Sequence, residues 1–242
     1  LDLESLLQVL DSLRVHEVRY IVFSGGEPLL HPHLEPLIEA SVRFGIITGV
    51  ATNAIAANGS LSRQLAAAGL AKATVSLDGA TAEVYEAVRN APKTFPHVIR
   101  GIQALQDAGI TVSTNTVLHP LNVHSIDDIV ELADSLRVER IAFTVPVCSG
   151  SRDDEVSQFR DDARRITYAK NALIQEKLKF AVAVDVHDPQ CFESTCPAGK
   201  EILGVTERGE IISCLVKEWV HAPSALAFTA SASLSLPRGA IR

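Results

Sequence analysis

The chain predicts an α/β protein built on a parallel sheet, and three features of the sequence point there. Short apolar runs that suit buried strands alternate with stretches of helical periodicity. The alternation yields five strands before residue 150, with helices between them, as βα units require. Gly45, Gly69 and Gly109 each stand between a helical stretch and the next apolar run, where a left-handed helix cap favours a residue without Cβ.

The elements follow in order. Leu3, Leu6, Leu7, Leu10 and Leu13 sit at helical spacing, and the continuous run Tyr20-Ile21-Val22-Phe23 reads as a buried strand. A helix is predicted over 34–42, a strand over 46–51, a helix over 61–68 and a strand over 73–77, then helical turns over 82–108. A strand over 111–118, a helix over 125–136, a strand over 140–145 and a long amphipathic helix over about 156–177 complete the alternation. The pattern then changes. Residues 180–186 are extended, a segment rich in Cys, Pro and Gly follows, and 222–242 is Ala/Ser/Leu-biased without a periodicity that predicts an element.

With 242 residues and 47% hydrophobic side chains, the chain has the material for a full-sized core. Its 22 basic and 29 acidic residues give a net charge of -7, which supplies no electrostatic footprint for nucleic acid or an anionic membrane. A peptide or small-molecule partner is expected instead. No run reaches the ~18 apolar residues of a spanning helix, and the start lacks the layout of a signal peptide, so a cytoplasmic location is expected. Four cysteines, Cys148, Cys191, Cys196 and Cys214, are too few and too uneven for a secreted disulfide framework. Three of them cluster late, which favours metal or redox chemistry. The chain has no methionine, not even at position 1, and reads as a fragment of a longer protein.

Parallel sheets place ligands at the carboxyl ends of their strands. In order, those ends carry Ser24-Gly25-Gly26-Glu27-Pro28, Thr52-Asn53, Ser76-Leu77-Asp78-Gly79, Asn115-Thr116 and Val145-Pro146. Gly25 and Gly26 let backbone approach a ligand, Glu27 adds an acceptor and Pro28 fixes the exit angle. The set suits an ammonium group; a tight turn with a solvated glutamate is the alternative. Ser76 and Asp78 flank Leu77 and share a face, so Asp78 suits sugar hydroxyls or an amine, although Asp-Gly is also a common turn pair. Asn115 inside a strand calls for a hydrogen-bond partner, in a ligand or in the core. Arg89 offers a fork for a carboxylate, or a solvated helix end. His31, His33, His119 and His124 have no metal-ligand spacing.

Taken together, the strand-end series over roughly residues 1–180 resembles the radical S-adenosylmethionine (SAM) superfamily, whose partial barrel carries a Gly-Gly-Glu-Pro loop. The resemblance implies a partial (β/α)6 TIM-type barrel with its first strand missing. It implies that Gly25, Gly26, Glu27 and Pro28 receive the SAM amino group, with Thr52, Asn53, Ser76, Asp78, Arg89 and Asn115 as further cofactor-binding positions. Thr52-Asn53-Ala54 departs from the family's Thr-Asn-Gly. A second resemblance, Cys196-x12-Gly209-x4-Cys214, is to the opening of the SPASM module. It implies a short Cys-containing appendage over 181–219, with Cys196 and Cys214, and Cys191 as an extra ligand, holding an auxiliary iron–sulfur cluster. A low-order tail over 220–242 completes the expected division.

The family's [4Fe-4S] cluster is held by Cys-x3-Cys-x2-Cys, and no cysteine here precedes Cys148. The expected intact protein is a SAM-cleaving enzyme of peptide or cofactor (PQQ- or haem-type) maturation, fed electrons by flavodoxin or ferredoxin; the fragment alone is expected to be inactive. The competing expectations are a non-catalytic peptide-binding paralogue and an iron-free (β/α)-barrel lyase. Against the lyase, Lys72 and Lys93 are expected on helix–strand connections, away from strand ends, leaving no Schiff-base lysine.

Overall fold

The computed structural model describes residues 2–15, 18–145, 164–167, 170–171, 183–187, 202–206, 211–212 and 225–230. The chain divides into two compact units: residues 1–52, 60–73 and 195–242 form the first, and 53–59 with 74–194 the second.

The first unit begins with α1 (Leu3–Val15), whose Leu6, Val9, Leu10 and Leu13 are buried at i, i+3, i+4, i+7 spacing. β1 (Val18–Phe23) buries Val18, Ile21 and Phe23, and α2 (Leu34–Arg43) buries Leu34, Leu37 and Ile38. β2 (Ile47–Thr52) pairs parallel with β1 in the register Val22 to Gly49. A Cβ at Gly49 would lie 2.3 Å from the Tyr20 hydroxyl, so the Tyr20 ring would have to shift to admit one. After α3 (Gly59–Ala68), the chain turns at Gly69 with φ +101 and enters β3 (Leu70–Ser76). Gly69 is doubly required, since a Cβ would also meet Val42 Cγ2 at 2.7 Å. Its carbonyl accepts a 2.9 Å bond from the buried Thr48 hydroxyl. β7 (Ile202–Thr206), β8 (Ile211–Ile212) and β9 (Ala225–Ala230) are joined antiparallel, and β9 lies antiparallel on β1, with Ile21 opposite Phe228. Strand order in this unit is β3-β2-β1-β9-β7-β8.

The second unit contains the end of β3, α4 (Ala82–Arg89), α5 (Phe95–Asp107), β4 (Thr111–Val117), α6 (Ile126–Ser135), β5 (Arg140–Thr144) and β6 (Ala183–His187). β4, β5 and β6 are parallel neighbours. Their core is the helical stripe Val98, Ile102 and Leu105 of α5, Ile126, Ile129 and Ala133 of α6, and Val112, Ile141 and Phe143 of the strands. α4 starts on the Thr81 side chain, which accepts from the Val84 amide, and buries Tyr85 against the Phe95 ring.

The parallel α/β alternation expected from the sequence is present through β5. The helical turns expected over 82–108 are two helices, because Pro92 interrupts the pattern and Asn90 and Lys93 take left-handed φ values of 48 and 63. β3 starts at Leu70, earlier than expected, so Lys72 lies within the strand and is exposed rather than on a connection. The tail contains β9 where no element was predicted; its partner β1 lies some two hundred residues earlier in the chain, and a short window holds no trace of such a pairing. Of the long helix expected over 156–177, residues 164–167 and 170–171 are described, and both are helical. Among the described residues no helix is long and apolar enough to cross a membrane.

Candidate functional site

In the first unit the loop after β1 carries the candidate. Gly25 has φ +135, a conformation that L side chains rarely adopt, so the turn itself demands glycine there. Gly26 is different. It is exposed, and beyond its chain neighbours a Cβ on it would meet no atom of the described residues within 4 Å. Among the described residues, neither the turn nor the packing requires a bare backbone at Gly26, which is what an approaching ligand needs. Glu27 is extended and caps the 3-10 turn Pro28–Leu30: its Oε1 accepts from the Leu29 amide at 3.2 Å and from the Thr52 hydroxyl at the end of β2. Thr52 is 4% exposed, so its hydroxyl works inside the chain, fixing the Glu27 carboxylate. Replacing Thr52 with valine keeps the shape and removes that donor. The expected cost is about 1 kcal/mol, read as a lower urea midpoint without a change in slope.

The remaining candidates belong to the second unit. Asn53 closes a turn by accepting from the Ile55 amide at 2.9 Å, and Ala54, where the family pattern has glycine, sits at φ 56 and is wholly buried. Ser76 ends β3, half-buried. Asp78 is 2% exposed; its Oδ1 accepts from the Val117 amide at 2.8 Å and its Oδ2 pairs with Arg89 Nη1 at 3.1 Å. Both carboxylate oxygens are thus engaged within the unit, whereas the sequence suggested Asp78 itself as an acceptor for hydroxyls or an amine. The group on the outer side of this pair is Arg89, the last residue of α4, whose side chain is 32% exposed. Burial pushes the Asp78 carboxyl up from its ordinary value, while the Val117 amide, the Arg89 guanidinium and His119 pull it down. Gly79 is needed for packing, since a Cβ there would lie 2.5 Å from the Tyr85 nitrogen of α4.

Asn115 has the partner its place in a strand called for. Its Oδ1 accepts from the Thr144 hydroxyl on β5 at 2.8 Å, which leaves the Nδ2 hydrogens as the groups the amide can offer elsewhere. Sequence reasoning passed over Thr144, having taken the end of that strand as Val145-Pro146. The register that sets Val117 opposite Thr144 brings it into play. Sequence reasoning also missed Asn122, a buried turn residue whose amide reaches Asp78; asparagine after Pro120 reads as an ordinary turn former, and nothing local distinguishes it.

Cys191, Cys196 and Cys214, expected as metal ligands, and Cys148 lie outside the described residues. Among the described residues no group of three His, Cys, Asp or Glu side chains is placed to hold a metal ion. His31 and His33 stack edge to face at 5.5 Å, with His31 Nδ1 accepting from the His33 amide, and form no ligand set.

Comparison with known proteins adds the family. The model of the "Radical SAM superfamily" matches residues 1–133. An AdoMet-dependent heme synthase of Methanosarcina barkeri is 28% identical over 218 residues, covering 80% of this chain and 62% of that protein. The mycofactocin maturase MftC of Mycobacterium ulcerans is 33% identical over 138 residues, covering 55% and 37% respectively. The chain therefore spans less than two thirds of either relative. Streptococcus suis SuiB bound to S-adenosylmethionine superposes with a TM-score of 0.71 at 16% identity, over 91% of this chain and 55% of that one; SuiB bound to the precursor peptide SuiA gives 0.70. At such identity the likeness speaks for the fold. With more than half of its residues matched by the family model, the chain belongs to the radical SAM superfamily.

Proposed function

We propose that this chain binds S-adenosylmethionine, with Gly25, Gly26, Glu27 and Pro28 receiving the amino group. The observation that carries the reading is the bare backbone at Gly26, which the described residues do not use for packing, beside a carboxylate fixed by hydrogen bonds from Leu29 and Thr52. Thr52 holds that carboxylate. Asn53, Ser76, Asp78, Arg89 and Asn115 are proposed for the same cofactor on the order of their motifs along the chain, with Arg89 and the Asn115 amide as the donors. When bound and reductively cleaved at a [4Fe-4S] cluster, the cofactor supplies a 5'-deoxyadenosyl radical that abstracts hydrogen from the substrate. The chain's cysteines do not include Cys-x3-Cys-x2-Cys, so no step is assigned to a cluster on these residues.

For the whole protein we propose a maturation enzyme acting on a peptide or on a PQQ- or haem-type precursor, reduced by a flavodoxin or ferredoxin. Relatives that mature mycofactocin and make haem, and the peptide-bound SuiB, support that substrate range. Residues 1–180 as a partial barrel, 181–219 as a SPASM-like module and Cys191, Cys196 and Cys214 as ligands of an auxiliary cluster complete the proposal.

The test is a substitution that the fold tolerates and the ligand does not. Gly26→Val adds a side chain into open space, so its melting temperature should match the wild type. Its affinity for S-adenosylmethionine, followed by saturation-transfer NMR, should fall at least about tenfold, or ~1.4 kcal/mol. Equal binding by the two proteins, or no binding by the wild type, would overturn the assignment.

A further inference from the structure

Asn122 lies in the turn after β4, is wholly buried, and has every polar atom of its side chain engaged. Its Nδ2 donates to the Asp78 carbonyl at 3.0 Å and to the Val117 carbonyl at 2.9 Å, while its Oδ1 accepts from the His119 amide at 2.8 Å. Holding the turn needs only the last of these, assisted by the Asn122 amide donating to the His119 carbonyl and by Ser125 donating to the Asn122 carbonyl. The two Nδ2 bonds do something else. One of them grips the Val117 carbonyl, and the Val117 N–H, in the preceding peptide group, donates to Asp78 Oδ1, so Asp78, Val117 and Asn122 close a ring that fixes Asp78 at both its main chain and its carboxylate. The other oxygen of that carboxylate, Oδ2, is the one paired with Arg89.

We propose that Asn122 is a positioning residue, which aims the Asp78 carboxylate and through it the Arg89 guanidinium. Chemistry restricts the position. Aspartate would turn two donors into acceptors facing carbonyl oxygens, serine has one donor for two carbonyls, and glutamine adds a methylene in a fully buried place. What Arg89 then binds rests on the cofactor reading above; the ring itself does not.

The experiment reads the pair without a ligand. The Asp78 carboxyl carbon is followed by NMR titration of the 13C-labelled chain, identified by its loss in Asp78→Asn. Among the described residues, the charged or titratable groups facing Asp78 are Arg89 from α4 and His119 from the loop after β4. In Asn122→Ala the Asp78 and Val117 carbonyls are no longer tied together, which loosens the Val117 N–H donation that favours the charged carboxylate, so the Asp78 midpoint should rise. The Arg89 Nε–H should also lose order on the nanosecond scale. The comparison is Gln106→Ala, which removes two bonds from Gln106 Nε2 to the Leu136 and Arg137 carbonyls; it should destabilise the unit and leave the midpoint in place. In the wild type, the Asn122 Nδ2 proton signals should shift with the Asp78 midpoint, a reading that needs no variant to fold. Invariant Nδ2 signals, or an unmoved midpoint in folded Asn122→Ala, would overturn the proposal. Failure of the wild type to bind S-adenosylmethionine would instead count against the cofactor reading alone.

Discussion

Gly101→Ala should strongly destabilise the second unit. Gly101 is buried in α5 where the helix crosses the 53–59 turn, and a Cβ there would lie 2.1 Å from the Ala54 carbonyl oxygen. The oxygen has little freedom to retreat. Ala54 is wholly buried at φ 56, and its carbonyl already accepts from the Ala57 amide at 3.1 Å. Relief therefore means moving the helix or breaking the turn, at about 3 kcal/mol. For a chain of this size that is a fall in melting temperature of roughly 6–12 °C, measurable by circular dichroism. A variant melting with the wild type would mean that α5 does not pack on the turn as described. The turn also carries Asn53, so the same substitution should disturb a candidate ligand position without touching it.

Arg89→Leu should show how the buried carboxylate is maintained. It removes the guanidinium that pairs with the Asp78 carboxylate, at an expected cost of about 2–3 kcal/mol near neutral pH, less than for a fully buried pair because Arg89 is partly exposed. The pH dependence has a definite sign. Burial raises the folded-state value of Asp78 above its ordinary one, so the stability linked to this group is fully present below the unfolded value and is lost as pH rises through the folded value. Removing Arg89 penalises only the ionised form and raises the folded value further. The gap between wild type and Arg89→Leu should therefore be small near pH 3.8 and widen toward pH 7, in urea titrations at several pH values. Adding Asp78→Asn to Arg89→Leu should flatten that dependence. A gap independent of pH would show that Asp78 is not the group Arg89 serves.

Much of this fold is legible locally. Leu6, Leu10 and Leu13 of the predicted helix stripe are buried, as are Ile21 and Phe23 of the predicted strand, because periodicity and burial follow from the geometry of each element alone. Gly45, Gly69 and Gly109, with φ values of +77, +101 and +86, stand where helix must become strand. The turn at Gly25 to Pro28 was legible for the same reason, since its conformation is written in adjacent residues. β9 was not, because its reason for being a strand is the edge of β1, and Pro92 was overlooked within an otherwise helical window.

By itself, then, the sequence determined the alternation of strands and helices, the loop at Ser24 to Pro28, and the family. Tertiary structure alone decided what the polar residues do. Thr52 is a clamp on Glu27, Asp78 faces Arg89 rather than outward, and Asn115 is oriented by Thr144. Asn122 closes a ring on a residue 44 positions away. The physical reason is range. Backbone preference and burial are set by near neighbours in the chain, whereas a buried polar atom must find a partner wherever the folded chain brings one.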